Sequence, residues 1–438
     1  MDKPVVLLEY EKKRVDIDRK TLNKLIELNN KFIDFEAGGK KQFLSIIPET
    51  DGWSIKAKNW VGLVKVEDFT LEILPKLTYK NEYGEVEKAE EEKKKIVRNL
   101  VKMLQIAWNI PIREVETAPL RAEINSVFEA VLAIYSAKLL DMLKEGLYKE
   151  YVQVEDKRKY VKGQIRFEEY AKRWERRHII PIRYNDRTPD NLLNRTLKYA
   201  AYLGSLYTKD SNNFRRLKNI VGIMDDVSLA PVNPAVAGSI TFNRLNESYK
   251  PLVNLASIII SNLSPEYTTG RRDVFAFLIP MERVFEKFIA NVIRDHIGSL
   301  LPECRNQHVW IQGARKIRPL LNEGLFKLIP DIYIECGGRK YIIDTKYKIL
   351  NKEERNYGIS PADAYQMYAY ASVYETDAIM LLYPKPLADI ETKEWVFNSP
   401  KNSRLVVAAV EVGAGIDLIS DFEDFLKNLR KILSEFER

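Results

Sequence analysis

Gly337-Gly338 separates two β-rich runs, residues 328–336 and 339–348, and no other feature constrains the fold of this chain as tightly. Two glycines between such runs signal a hairpin with a two-residue turn. The turn also sets the register, because directly opposed residues must have numbers summing to 675. Asp331 and Asp344 meet that condition. The hairpin therefore sets two carboxylates face to face, with Cβ atoms about 4.5–5.5 Å apart. Like charges so placed destabilise a hairpin unless something neutralises them. A divalent cation does so, and hard oxygen ligands suit Mg²⁺. Side chains alternate along a strand, so Lys346 shares the face of Asp344 and can hold a water beside the metal. Two carboxylates, a metal and a lysine form an apparatus for phosphodiester hydrolysis, in which the metal activates water and offsets charge on the phosphate. The plain alternative is a surface hairpin with both aspartates solvated. Ile329, Ile332, Ile334, Ile342 and Ile343 argue against full exposure.

The neighbouring segments fit the same chemistry. Residues 280–296 read as a helix with an apolar stripe of Val284, Phe285, Phe288, Ile289 and Val292. Glu286 lies off the centre of that stripe, within reach of the metal, or serves as an ordinary solvated glutamate. Ser360-Pro361-Ala362-Asp363 is a helix start, with a serine cap, proline at the first position and an acid in the first turn. Gln366 and Tyr370 follow at i,i+4 and share one face. An amide and a phenol there can orient water or phosphate, although both are also common helix residues. Residues 378–383 and 405–412 read as buried strands. The order is helix, strand, hairpin of two strands, helix, strand.

Other chemistries are excluded by missing motifs. No GxxxxGK[ST] and no GxGxxG occurs, so this chain has no visible means to hold and hydrolyse a nucleotide. The three histidines, His178, His296 and His308, are scattered, and no HExxH or His/Cys cluster exists. There is no GxSxG elbow. Carboxylate chemistry remains. Only two cysteines occur, Cys304 and Cys336, which excludes a disulfide scaffold and fits a reducing compartment. Met1-Asp2-Lys3-Pro4 lacks a signal-peptide core, and apolar runs such as 378–383 are too short to span a bilayer. The expectation is a soluble cytoplasmic protein.

At 438 residues the chain is long enough for about three domains. Residues 1–80 read mostly as strands, with a helix at 21–32 and a hairpin of 60–66 and 69–74 about Glu67-Asp68. Residues 82–95 are a charge run with Glu90/Lys94 and Glu91/Lys95 at i,i+4. It leads into a helical stripe of Val97, Leu100, Val101, Leu104 and Trp108. Residues 126–147 read as a second long helix, and together these two form a projecting arm. The net charge of +7 is not evenly spread. Residues 156–218 hold 17 Lys/Arg against 7 Asp/Glu, a net of +10, which leaves −3 elsewhere. Tyr160, Phe167, Tyr170, Trp174 and Tyr184 are interleaved, a pattern suited to phosphate contacts with aromatic support. A solvated surface or a protein-docking face has the same composition. The candidate DNA contacts are Lys157, Arg158, Lys159, Arg173, Arg176 and Arg177.

Pro330-Asp331, Asp344-Thr345-Lys346 and the pair Gln366/Tyr370 resemble the signature of the PD-(D/E)XK nuclease superfamily. The resemblance narrows to one family. Met281-Glu282-Arg283-Val284-Phe285-Glu286-Lys287-Phe288, Asp344-Thr345-Lys346-Tyr347-Lys348 and Leu381-Leu382-Tyr383-Pro384 look like the McrC family, the nuclease subunit of McrBC modification-dependent restriction systems. Val61-Gly62-Leu63-Val64 and Leu71-Glu72-Ile73-Leu74-Pro75-Lys76-Leu77 are similar to its N-terminal region. Lys162-Gly163-Gln164-Ile165-Arg166-Phe167 and Asn191-Leu192-Leu193-Asn194-Arg195-Thr196-Leu197-Lys198 are similar to its middle. The likeness is patchy over about residues 60–385. Only the nuclease motif carries chemistry, and Asp344 stands where the superfamily pattern often has glutamate.

The resemblance implies an α+β chain, with an N-terminal β-rich and helical stalk-like region followed by a C-terminal PD-(D/E)XK α/β nuclease domain. The expected divisions are 1–80 β-rich, 81–264 for partner docking and DNA, and 265–438 for the endonuclease. Asp331 and Asp344 bind Mg²⁺, or Mn²⁺ in its place, helped by Glu286 and the Thr345 carbonyl. Lys346 positions water, and Gln366 and Tyr370 support the site. The implied partners are a McrB-like hexameric AAA+ GTPase, which holds the nucleotide that this chain cannot, and modified double-stranded DNA. Two rival readings are a repair or recombination nuclease without a GTPase ring, and a non-catalytic adaptor that binds DNA through residues 156–218.

Overall fold

The structure is a computed structural model that describes residues 4–34, 39–50, 52–76, 86–110, 126–172, 178–263, 274–302, 304, 308–312, 316–385, 387–398, 401–413 and 419–436. It is mixed α/β, and it packs as two compact units: residues 1–131 with 265–438, and residues 132–264.

The first unit opens with β1 (Val5–Leu8), β2 (Lys12–Val15) and α1 (Arg19–Lys31). The Asp18 carboxylate caps α1 by accepting from the amides of Lys20 and Thr21, donors that a first helical turn cannot satisfy itself. β3 (Leu44–Glu49), β4 (Gly52–Ala57), β5 (Trp60–Val66) and β6 (Phe69–Leu74) follow. The hairpin expected about Glu67-Asp68 forms as β5–β6, with Val66 opposite Phe69. β2, β4 and β3 make a separate sheet with β4 in the centre.

α2 (Val86–Ala107) does not project as the arm expected from sequence. Its stripe of Val97, Leu100 and Leu104 is buried, and apolar residues on one helical face seek cover. Its last carbonyls, at Ile106 and Ala107, accept from the Asn291 side-chain amide at 2.8 and 3.0 Å. Asn291 thus caps a helix end whose carbonyls have no partner within the helix. In the charge run, Glu91 pairs with Lys94 at 2.9 Å, one residue nearer than the expected Lys95. Glu90 lies outside the residues whose side chains are described, and with it the expected Glu90/Lys94 contact.

α3 (Val127–Lys144) leads into the second unit. There β7 (Glu150–Arg158), β8 (Gln164–Ile165) and β9 (Ile180–Thr188) form a sheet with β9 central. β7 and β9 pair along nine residues, from Arg158 opposite Ile180 to Glu150 opposite Thr188. α4 (Leu192–Tyr207), α5 (Ser211–Ile223) and α6 (Lys250–Leu263) complete the unit around buried Leu197, Ala200, Leu217, Ala256 and Ile259.

The chain then returns to the first unit with β10 (Val274–Pro280) and α7 (Met281–Leu300). β10 pairs antiparallel with β5, giving a four-stranded sheet of order β1-β6-β5-β10. Packing therefore groups residues 1–80 with 265–438, which the sequence reading set apart. Next come β11 (His308–Ile311), β12 (Ile332–Cys336), β13 (Arg339–Thr345), α8 (Pro361–Tyr374), β14 (Ala378–Pro384), β15 (Lys393–Val396), β16 (Arg404–Val410) and α9 (Ile419–Leu433). They build a six-stranded sheet of order β11-β12-β13-β14-β16-β15, with β13, β14 and β16 mutually parallel. The β13-α8-β14 connection is the helical crossover that parallel neighbours require. Cys304 and Cys336 are joined by a disulfide, with Cα atoms 5.3 Å apart, a pairing at odds with the reducing compartment that so few cysteines suggested. The pairing ties the chain after α7 to the outer end of β12. No helix among the described residues is long and apolar enough to cross a membrane.

Gly62 shows why a glycine stands in β5. Its φ is +143°, and a Cβ built there would lie 2.0 Å from the Phe277 carbonyl oxygen of β10. Only a residue without a side chain permits this approach. Gly62→Ala is expected to cost at least about 1–3 kcal/mol of stability, read as an earlier transition in a denaturant melt.

Candidate active site

The hairpin has the register that Gly337-Gly338 dictates, with Cys336 opposite Arg339 and Ile332 opposite Ile343. Asp331 sits one residue before β12 and Asp344 near the end of β13. The Asp331 Oδ2 accepts from both the Thr345 amide and the Thr345 hydroxyl, each at 2.8 Å. These bonds pin Asp331 across the hairpin. Asp344 is 1% exposed, in the middle of the six-stranded sheet, between the Asp331 side and β14, where Leu381 is its neighbour.

Lys346 meets this carboxylate from the same face, as strand alternation predicts. Its Nζ lies 2.5 Å from Asp344 Oδ2 and donates to Gln366 Oε1 at 3.1 Å. Gln366 donates to the Tyr370 hydroxyl at 3.0 Å, and Tyr370 donates to the Ile329 carbonyl at 2.9 Å. This relay runs from the lysine back to the segment that delivers Asp331. It exists because Ser360 starts α8 in the right place: its hydroxyl accepts from the Asp363 amide, and Pro361 occupies the first turn. On α7, Glu286 accepts from Gln312 at 3.2 Å.

Electrostatics confirm that these acids crowd one another. Burial and the nearby Glu286 charge raise Asp331 from 3.8 to about 6. Burial and the Asp331 charge raise Asp344 to about 7. Glu286 is raised as well, by burial first and by Asp344 among its acidic neighbours. Burial works against the Lys346 charge, yet Asp344, Asp331 and Asp363 outweigh it and hold the ammonium above its ordinary value. Burial keeps the Tyr370 phenol protonated. Among the described residues, no group of three or more His, Cys, Asp or Glu is arranged to enclose a metal ion. The donor chemistry is nonetheless that of a hard cation, with two opposed aspartates of raised pKa, Glu286 close enough to perturb both, and no sulfur or imidazole among them.

The structure thus brings Asp331, Asp344, Lys346, Gln366, Tyr370, Glu286 and Thr345 into one neighbourhood. Sequence reasoning missed three of the contacts. The Thr345 hydroxyl and amide fix Asp331, a role distinct from the one expected of its carbonyl. Lys348 donates to Asp363 at 2.7 and 3.0 Å, and Asp363 also lies 3.8 Å from Lys346. Strand alternation put Lys348 on the Lys346 face, a signal available in the sequence. The basic candidates are elsewhere. Lys157 is 3.1 Å from Glu169, and Arg158 is 2.6 Å from Asp156 with its guanidinium over Tyr160 and Tyr184. Lys159 is exposed beside them. Arg173, Arg176 and Arg177 lie outside the described residues.

A family model described as McrBC 5-methylcytosine restriction system component matches residues 55–384. The chain belongs to that family. Solved structures show the same fold. A chain of the refined half-complex from the tetradecameric assembly of Thermococcus gammatolerans McrB AAA+ hexamers with bound McrC aligns with a TM-score of 0.63. Identity is 19%, over 99% of this chain and 100% of that one. A chain of the cryo-EM structure of the Thermococcus gammatolerans McrBC complex aligns with a TM-score of 0.50 and 22% identity, over 67% and 88%. No curated protein matches this chain.

The raised aspartates make a pH prediction. A folded pKa above the ordinary value favours the native state fully below about pH 4, and that contribution is lost as pH rises through about 6 and 7. In chelator, Asp344→Asn should therefore gain stability relative to the wild type across that window, by up to about 1.4 kcal/mol per pH unit. Denaturant melts at a series of pH values measure this. A constant difference between the two proteins contradicts it.

Proposed function

We propose that this chain is the Mg²⁺-dependent endonuclease subunit of a modification-dependent restriction complex, built on a PD-(D/E)XK nuclease arrangement. One observation carries the reading: a buried aspartate, Asp344, opposed by the half-buried Asp331, with a lysine ammonium 2.5 Å from the buried one. Charged groups enter so apolar a sheet only at a cost that a function must justify. The element order from α7 through β12, β13, α8 and β14 supports the same arrangement.

In this reading Asp331 and Asp344 hold the ion, with Glu286 and the Thr345 carbonyl as further oxygen donors. Mg²⁺ there supplies charge neutralisation at the scissile phosphate and a more acidic water. Lys346 would hold the attacking water and offset the negative charge that develops on it. Gln366 fixes the lysine, and Tyr370 fixes both Gln366 and the chain before Asp331. Thr345 keeps Asp331 turned toward Asp344.

Family membership supports a partner as well. The solved relatives are complexes of McrB AAA+ hexamers with bound McrC. We infer that this chain docks onto a McrB-like hexameric GTPase through residues 81–264 and stimulates it. This is consistent with the lack of a phosphate-binding loop in this chain. Tyr151, Tyr160 and Phe167 are 70%, 57% and 69% exposed, more than folding requires of aromatics, and Tyr160 lies against the Arg158 guanidinium. That surface suits modified double-stranded DNA or the motor.

Asp344→Ala and Lys346→Ala are each expected to reduce cleavage of modified DNA by at least about a hundredfold, with Mg²⁺ and the motor present. Folding and partner binding should persist. Full cleavage by either variant sinks the nuclease reading. A stable complex with a hexameric GTPase on purification checks the partner, since a repair nuclease without a ring would yield none.

A further inference from the structure

Asp363 is a buried carboxylate that the hydrolysis described above does not use. It is 6% exposed, in the first turn of α8. Its helix does not need it as a cap, because Ser360 already performs that task. Aspartate is rarely buried unless it is paired. Here it is paired generously: the Ser360 hydroxyl donates to Oδ2 at 2.7 Å, and Lys348 reaches both oxygens. Lys346 Nζ is 3.8 Å from Oδ1.

Lys346 therefore stands between two acids. Without a divalent ion, its ammonium lies 2.5 Å from Asp344 Oδ2, close enough to contend with a cation for that oxygen. An ammonium and a divalent ion cannot share that oxygen cheaply. The lysine needs a second acceptor to move to, or its charge is left facing the ion in a buried site. Asp363 Oδ1 is that acceptor. The move is about 1 Å, the difference between 3.8 Å and a charge-assisted hydrogen bond of about 2.8 Å. Gln366 Oε1, at 3.1 Å, keeps hold of the ammonium throughout.

We propose that Asp363 is a positioning residue, which receives the Lys346 ammonium from Asp344 when a divalent cation enters the site. The inference rests on the metal site proposed above and adds to it. Lys348 sets the strength of the receiver, because it competes with Lys346 for the same carboxylate. The aspartate, lysine and acceptor form a device that keeps Asp344 neutralised in both states.

The test is a double-mutant cycle read as Mn²⁺ binding by calorimetry on the full chain at fixed pH, without DNA. Asp363→Asn should weaken Mn²⁺ binding about tenfold when Lys346 is present. In Lys346→Met, where no ammonium needs a new acceptor, the same substitution should change nothing. Equal weakening in both backgrounds overturns the proposal, because Asp363 would then act through its own charge or through the fold. No change in either background also overturns it. Should Asp363→Asn fail to fold, Lys348→Met takes its place. It should tighten Mn²⁺ binding only when Lys346 is present, and an equal or absent effect in the two backgrounds overturns the proposal. Absence of Mn²⁺ binding by the wild-type chain overturns the metal reading itself, a result distinct from a failed cycle.

Discussion

The bond pair from Thr345 to Asp331 is the constraint on which the rest of the site depends. It spans the open end of a hairpin whose closed end is fixed by Gly337-Gly338. With both ends fixed, Asp331 is held across the hairpin, and Asp344 has a like charge beside it in an apolar sheet. A pair so arranged has few ways to lower its energy. It can hold protons, as the raised values indicate, or it can draw in a cation. Lys346 is the cation the chain supplies by itself. The position of α8 follows from this need, since Gln366 and Asp363 on that helix are what hold the lysine in range.

Much of this geometry was legible in the sequence because it is local. Register follows from a two-residue turn, face follows from alternation, and the i,i+4 spacing of Gln366 and Tyr370 follows from helix pitch. Ser360-Pro361 marked the start of α8 for the same reason. What escaped was set by distant pairing. Nothing in residues 60–66 reveals that 274–280 will lie beside them, although Gly62 is the trace that this contact leaves. α2 carries an apolar stripe that reads equally as a free arm or a packed helix, and Asn291, nearly two hundred residues on, decides between them. The disulfide was missed because two cysteines 32 residues apart carry no pairing information until α7 and β12 are placed.

Charge counting was informative at one scale and misleading at another. The +10 of residues 156–218 suggested an uncompensated basic face. In the second unit, Glu155 pairs with Arg166 and Arg183, and Asp186 with Lys162. Glu155 lies one residue outside the window over which the charge was counted. Exposed ion pairs of this kind contribute little stability, but they do lower the field that a phosphate backbone would meet. The exposed aromatics are therefore a stronger mark of a contact surface there than the net charge.

The N-terminal strands bear on the site more directly than their distance in sequence suggests. Tyr347 follows Lys346, and its hydroxyl donates to Glu9 Oε2 at 2.6 Å, just past β1. Tyr10 donates to the Tyr347 carbonyl at 3.3 Å. Burial raises Glu9 to about 8, so near neutral pH this carboxyl is largely protonated and adds no charge to the interior. A neutral Glu9 can hold Tyr347 without disturbing the balance among Asp331, Asp344 and Lys346. An ionised one would add negative charge on the far side of the strand that presents the lysine. Glu9, Tyr10 and the end of β13 are thus parts of one packed structure, and the position of Lys346 depends on the residues after β1 as well as on α8.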